Sequence, residues 1–452
     1  MEEEIRKEFM ELLRLLDEGK LPEFKEKAAD CPPVDIAEGL EEVEDDRQVL
    51  RVFRMLPKDM ASDVFSFMTS EQQQMIVESA TNAEIRDLVD DMFMDDTVDF
   101  LEEMPANVVK KVLSNTDEGT RKTINQFLNY PENSAGSLMT IEFVKLRGVM
   151  TVDIAMEQIK KTGMDKETIY TCYVIDDKRH LIGVVPLRTL ICAESTATVE
   201  SLMEDEVVSV QTIDDQEEVA NIFKKYNWNA LPVTDRENRL VGIITVDDIM
   251  DVIDEEATED MEKMAAVLPS DDEYLKMSVL TLAKNRIVWL SVLMISGTLS
   301  AFVIDQYQDL LNTAVILSSF MTIITGTGGN AGSQASAMII RGMALGEIQI
   351  RDIFRVVWKE LRVGLICGGV LAVLNMARMT FFSSNTSTAV DLTVSFSMAA
   401  AVVLAKTIGC ILPILAKAVH LDPAMMAGPL ITTIVDAVAL MIYLSIATVL
   451  VL

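Results

Sequence analysis

Apolar residues in the first 130 positions recur at three- and four-residue spacing, as in Phe9, Leu12, Leu13 and Leu16 and again in Met92, Val98, Leu101 and Met104. This is the period of helices that bury one face. Short breaks separate them: LPKD at 56–59 and MPAN at 104–107. An apolar residue, a proline, a polar break and a new apolar helix thus occur twice, which predicts stacked helical hairpins. From about residue 138 the pattern changes to short β-type runs, YTCYVI, LIGVVP, VVSV, ALPVTD and LVGIIT, each followed by a helical stretch. YVIDDKRHLIGVVPLRTL (173–190) repeats as PVTDRENRLVGIITVDDI (232–249) after about 59 residues. A mixed stretch at 262–284 reads as a connector helix. Beyond it lie apolar stretches at 287–304, 311–340, 353–377, 392–416 and 425–452. Each is long enough for the ~20 residues that span a bilayer, so five spans are expected.

Charge sharpens the division. The chain has 452 residues, 50% of them apolar, and a formal net charge of −32. From Lys284 onward there are 10 Lys+Arg against 8 Asp+Glu, which leaves 29 basic and 63 acidic residues in the first 283, a net of −34. Such a surface repels phosphate backbones and argues against a nucleic-acid partner; cations are its natural counter-species. Five scattered cysteines without a CxxC pair and two histidines suggest no disulfide framework, zinc site or Cys–His nucleophile. No Walker loop, triad or metal-binding His pair suggests an enzyme. The start, MEEEIRKEFMELL, is charged and amphipathic rather than a secretory leader, so the acidic half is expected in the cytosol. Lys284 and Arg286 precede the first span, Arg341, Arg351, Arg355, Lys359 and Arg362 join the second to the third, and Lys417 the fourth to the fifth. The outer loops hold only Arg378, as five spans with an internal N-terminus require.

Ionisable residues and broken helices inside hydrocarbon are costly and mark ion or substrate paths. The second span contains GTGGNAGSQASA (326–337), with Asn330, Ser333 and Gln334. Its glycines permit close backbone approach or local unwinding; the alternative is a small-residue packing face. The last span holds Asp436, a turn or two past Gly428 and Pro429, read as the one carboxylate well within a span. Thr432, four residues earlier, shares its helix face. Lys406 in the fourth span snorkels or faces a crevice.

The duplicated strand–turn–strand–helix unit resembles a tandem pair of CBS domains, and GIITVDDI is that family's typical repeat ending. Such pairs sense ligands, and in nucleotide-binding members the Thr and Asp of the ending, Thr245 and Asp248 here, contact ribose or phosphate. The first copy carries VPLRTL instead, which leaves adenine-nucleotide (ATP) binding open.

Taken in order, the acidic helical start, YPENSAGSLMT (130–140), the CBS pair, VDDIMDVIDEEATED (246–260), GTGGNAGSQ, LDPAMMAGPL and the late membrane Asp resemble the MgtE-type magnesium transporter/channel family along essentially the whole chain. The resemblance implies a multidomain membrane protein. Its parts are an all-α N-domain (1–130), a linker with the first CBS repeat (131–200), the second repeat (201–261), a connector or plug helix (262–284) and a five-helix transmembrane domain (285–452). It also implies a multi-pass protein of the bacterial inner membrane with cytoplasmic N-terminal domains. The resemblance further implies that two copies form the pore, in which Asp436, aided by Thr432, would bind hydrated Mg2+. Asn330, Ser333, Gln334 and Gly428 are pore-lining candidates, although some relatives have Asn at the positions of Ser333 and Gly428.

Regulation by the same ion is expected of the acids that match the family motif. Like charges a few ångströms apart repel by about 1 kcal/mol in water and more when partly buried. Cytosolic Mg2+ bridging Asp248, Asp251, Glu256, Glu259, Asp260, Asp422 and, in the N-domain, Asp91 and Asp95 is expected to compact the soluble half and close the pore. Two rivals stand beside this reading: an H+- or Na+-coupled divalent-cation transporter, and a membrane-tethered nucleotide sensor.

Overall fold

A computed structural model describes residues 2–270, 274–275, 277–382, 387–426 and 428–451. The chain divides into two compact units, Met1–Ile253 and Asp254–Leu452.

The first unit opens with ten helices between Glu2 and Phe127 among the described residues. The first, Glu2–Asp17, buries Phe9, Leu12, Leu15 and Leu16, as its spacing demands. The two proline phrases behave as read: Pro57 and Pro105 are the N-cap residues of the Lys58–Ser66 and Ala106–Asn115 helices. A capping box starts another, Thr81 Oγ1 accepting from Glu84 N at 3.3 Å and Glu84 Oε2 from Thr81 N at 2.7 Å. Helix α1 (Met94–Glu102) closes over the core through Val98, Phe100 and Leu101 while holding Asp95 and Asp96 in its first turn.

Two three-stranded sheets follow: β1 (Phe143–Arg147), β2 (Thr168–Ile175) and β3 (Leu181–Pro186); then β4 (Val210–Gln211), β5 (Ala230–Thr234) and β6 (Leu240–Thr245). In each, a parallel pair joined through a helix is followed by an antiparallel hairpin. The hairpin turns match: Asp176 Oδ1 accepts from Lys178 N and His180 N at 2.8 Å, and Asp235 Oδ1 from Glu237 N and Arg239 N at 2.9 Å. The repeats interlock. Thr140, ahead of the first sheet, pairs with Ile243 of β6, and Glu204, between the sheets, pairs with Val184 of β3. The expected VVSV strand therefore shrinks to Val210–Gln211, because the chain before it already serves the other sheet.

The connector differs from expectation. Helix α2 (Val246–Met264) runs without a break from the second repeat through the acidic stretch. Of the helix expected at 262–284, only Glu262–Met264 belong to it. Ala266 turns left-handed at φ +56° and Pro269 follows, so the chain leaves the helix there; it resumes at Val279, where Ser278 Oγ accepts from Thr281 N. Residues 271–273 and 276 lie outside the described part of that connector.

The second unit contains α3 (Val279–Ser296), α4 (Thr298–Gln306), α5 (Ser318–Ala344), α6 (Ile353–Phe382), α7 (Thr388–Ala418) and α8 (Gly428–Leu450). Among the described residues, four stretches are long and apolar enough to cross a membrane: Val279–Gln306, Ile350–Phe381, Thr388–Ala418 and Pro423–Leu450. The fifth expected span is α5, whose 27 residues reach ~40 Å at 1.5 Å each. Its Gly, Ser and Thr content lowers its hydropathy. Far from unwinding at 326–337, α5 is helical throughout, and its glycines serve close approach. Gly332 stands against Ile431, Val435 and the Ala405 carbonyl, and a Cβ at Gly409 would strike the Gly332 carbonyl oxygen.

Candidate metal-ion sites

In the second unit, α8 directs Asp436 toward α5 at a glycine. A Cβ on Gly329 would lie 2.8 Å from Thr432 Cγ2 and 3.4 Å from Asp436 Oδ1. Asp436 Oδ1 is buried and has no hydrogen-bond partner. The Thr432 hydroxyl donates to the Gly428 carbonyl at 2.9 Å and lies 3.2 Å from Ser333 Oγ. Its one proton is thus committed to Gly428, which makes Ser333 the donor between the two hydroxyls. Ser333 and Thr432 are half-buried, whereas Asn330 and Gln334 are exposed on α5. Gly428 has φ +29°, and a Cβ there would meet the Met264 carbonyl oxygen at 2.9 Å, so the glycine lets the end of α2 approach the start of α8. Lys406 is 7% exposed within α7.

Sequence reasoning overlooked a second membrane carboxylate. Glu360 lies in α6, inside an expected span, and its Oε2 is buried without a partner. Its neighbours Arg355, Lys359 and Arg362 made the stretch read as a basic connection.

The end of α2 carries an ion-pair station. Lys263 Nζ lies 2.7 Å from Glu259 Oε1 and 2.7 Å from Asp422 Oδ2. Asp422 Oδ1 also accepts from Ala424 N at 2.8 Å, which fixes the turn before α8. Burial alone would lower the Lys263 ammonium, but the bonds to Asp422 and Glu259 outweigh it and raise it. Asp260 is pushed up by burial and by Asp422. Three expected sensor acids thus meet here, with a tethered cation already among them.

The first unit gathers a denser acidic face. Asp95, 6% exposed, is held well above the carboxylate range by burial and by Asp248 and Asp96. Asp96 is pushed up to about 6 by burial, Asp63 and Asp247. Asp248 and Glu167 are both pushed to about 7, mainly by burial, with Asp247 and Asp96 adding to each. Asp99 is also raised, by burial and then Asp248, yet much of its side chain meets solvent, so its effect is discounted for screening. The acids at the head of α1 and of α2 each sit in a first turn, where the helix dipole offsets part of the repulsion.

Not every expected acid joins this face. Asp91 lies 3.4 Å from Lys58 Nζ, a surface pair apart from the cluster. Asp251 is exposed and Glu256 half-buried on α2. Asp63 and Glu167 were missed; neither lies in an acidic run, and only folding brings them in. Thr245 and Asp248, the two nucleotide candidates, are bonded to each other, Thr245 Oγ1 donating to Asp248 Oδ2 at 2.7 Å. Among the described residues, no three His, Cys, Asp or Glu side chains form a ready-made metal cage.

Comparison with known proteins matches each part. Residues 31–133 fit the MgtE intracellular N domain, 135–195 and 199–255 the CBS domain, and 321–446 the MgtE divalent cation transporter. The chain is 34% identical over 440 residues to the magnesium transporter MgtE of Thermus thermophilus, covering 96% of this chain and 97% of that one. With the magnesium transporter MgtE of Bacillus subtilis it shares 32% identity over 439 residues, 97% and 96% of the two chains. Among solved structures, the soluble part of a magnesium transporter aligns at 31% identity with a TM-score of 0.53, over 56% of this chain and all but 1% of that one (99%). The cytosolic domain of the Mg2+ channel MgtE in complex with ATP aligns at 35% identity and a TM-score of 0.51, over 54% and 99%.

Proposed function

Because this chain belongs to the MgtE family of divalent cation transporters, we propose that it carries Mg2+ across a bacterial inner membrane, its acidic half in the cytoplasm, through a pore built by α5 and α8 of two copies. The observation that carries this reading is Asp436, a carboxylate in a membrane helix with a buried, partnerless oxygen against a glycine. A charge so placed is costly unless a cation or water meets it. Mg2+ sheds water reluctantly and is held by one or two carboxylates through retained waters. Two Asp436 side chains about a shared axis supply that donor set. Ser333 and Thr432 offer hydroxyls to its water shell, and carboxylates lining a path favour cations over anions.

Regulation by cytosolic Mg2+ extends the reading. Asp95, Asp96, Asp248 and Glu167 are hard oxygen donors that repel one another while bare, the chemistry a divalent ion relieves. Such ions bind the compact, closed arrangement more tightly and shift the balance toward it. Glu259, Asp260 and Asp422 form a second station, within the second unit. An adenine nucleotide at the CBS pair is a further ligand, favoured by the ATP-bound relative; Thr245 is its candidate contact, while Asp248 is engaged in the acidic face.

Reconstituted flux tests the pore. Asp436→Asn should lower Mg2+ flux about 10- to 100-fold, the loss of one or two charge-assisted bonds. Flux at parental rates would reject the role of Asp436. Following H+ and Na+ beside Mg2+ in the same vesicles separates a channel from coupled exchange, since exchange would move a counter-ion in fixed ratio to Mg2+.

A further inference from the structure

The start of α6 presents a face that ion transport does not use. Arg351, in the turn Ile350–Asp352 just before the helix, and Arg355, Lys359 and Arg362 within it are all exposed. Phe354 and Trp358 are 86% and 60% exposed between them. At ~100° per residue, all six fall within an arc of roughly 140°. Glu360 lies on the opposite side of the helix, with its Oε2 buried. The cations have little to occupy them. Arg355 approaches Asp352 only at 3.6 Å with its own side chain 90% exposed. Among the described residues, Arg351 and Lys359 form no ion pair. Arg362 donates Nε–H to the Trp358 carbonyl at 3.3 Å and holds its guanidinium 5.8 Å from the centre of the Trp358 ring, so it is poised rather than neutralised.

Along the helix axis the same face becomes apolar, through exposed Leu365, Ile366, Val370 and Val373. Basic residues interleaved with aromatic rings, followed by aliphatic surface, suit a helix passing from a headgroup layer into hydrocarbon. Orientation alone asks only for cations near a span end. Here they are aligned on one face, flank two exposed rings and stand above a lipid-facing strip, a shape that matches a phosphate with acyl chains below it.

We propose that this face of α6 binds an anionic phospholipid of the cytosolic leaflet, its phosphate held by Arg355, Lys359 and Arg362 and its acyl chains lying along Leu365 and Ile366. The leaflet assignment rests on the orientation proposed above; recognition of the headgroup does not depend on which ion is carried.

Trp358 is the built-in reporter. The full chain carrying Trp228→Phe and Trp289→Phe keeps it as the sole tryptophan. Reconstitution in phosphatidylcholine with a minority of acyl-brominated phosphatidylglycerol, and in the converse mixture with the bromine on phosphatidylcholine, compares the two lipids at equal bromine content. Brominated phosphatidylglycerol should quench Trp358 several-fold more strongly. That excess should shrink in high salt and drop about five-fold on Arg355→Gln or Lys359→Gln, the worth of one cation at an anionic surface. Inorganic phosphate should leave it unchanged, since a free anion lacks the acyl chains. Equal quenching by both lipids overturns the proposal, and so does quenching by neither, which would mean that a second copy or another protein covers the face. Mg2+ flux is not read, so failure here leaves the transport reading untouched.

Discussion

Gly409 and Gly369 occupy neighbouring helices of the same unit but have opposite surroundings. A Cβ at Gly409 in α7 would run into the Gly332 carbonyl oxygen, a backbone atom that cannot swing aside, whereas Gly369 in α6 has nothing within 4 Å. Gly409→Ala should therefore destabilise the protein by about 1–3 kcal/mol through overpacking. Gly369→Ala should be neutral or stabilising by up to ~1 kcal/mol, since alanine favours the helix. Thermal melting in detergent distinguishes them; equal shifts would mean that α5 and α7 do not meet at this point. Gly329 is an intermediate case. A methyl group there would stand 3.4 Å from Asp436 Oδ1 and 2.8 Å from Thr432 Cγ2, so α8 would have to give way.

At the scale of elements, α2 shows how a continuous helix escapes a reading based on composition. Its sequence, VDDIMDVIDEEATEDMEKM, contains no proline or glycine, so nothing interrupts it where the domain boundary was drawn at 261/262. The repeat and the change in charge were legible; the helix spanning both was not. Strand β1 stayed hidden for a different reason: Lys145 and Arg147 break its apolar run, leaving an exposed position where a buried strand was sought. The amphipathic N-domain helices and the strongly apolar helices of the second unit were readable because burial imposes a period on them. The acidic face was readable only in part, since Asp63 and Glu167 reach it through folding and Asp91 is drawn to Lys58. At the end of α2, Lys263 supplies the positive charge between Glu259 and Asp422. Lys263→Met should cost about 1 kcal/mol in chelator, as expected of a partly exposed pair, and millimolar Mg2+ should restore the loss. A melting temperature unmoved by Mg2+ in this variant would show that the two carboxylates do not share an ion.

Across the whole molecule, the buried acids couple stability to pH and to divalent cations. Asp96 is raised to about 6 and Asp248 and Glu167 to about 7, against ordinary values of 3.8 for Asp and 4.5 for Glu. The folded state holds their protons more tightly than the unfolded chain does. Their stabilising effect is complete below about pH 4 and is lost as pH rises through 6 and 7. In chelator, the melting temperature of the first unit should fall between pH 5.5 and 8, and Mg2+ should flatten that slope by taking the place of the protons. Asp96→Asn should regain about 1–2 kcal/mol at pH 8, a fraction of the ~3 kcal/mol that its full displacement implies. A slope unchanged by either treatment would remove the acidic face as a sensor.

Thr140 is bound to β6 and Glu204 to β3, so each CBS repeat is laced shut by a thread from outside it. A protease cut between residues 200 and 201 would leave two pieces still braided together, and neither repeat could be exchanged with that of a relative on its own. Any graft, duplication or inherited change of ligand preference has to move the two as one fabric.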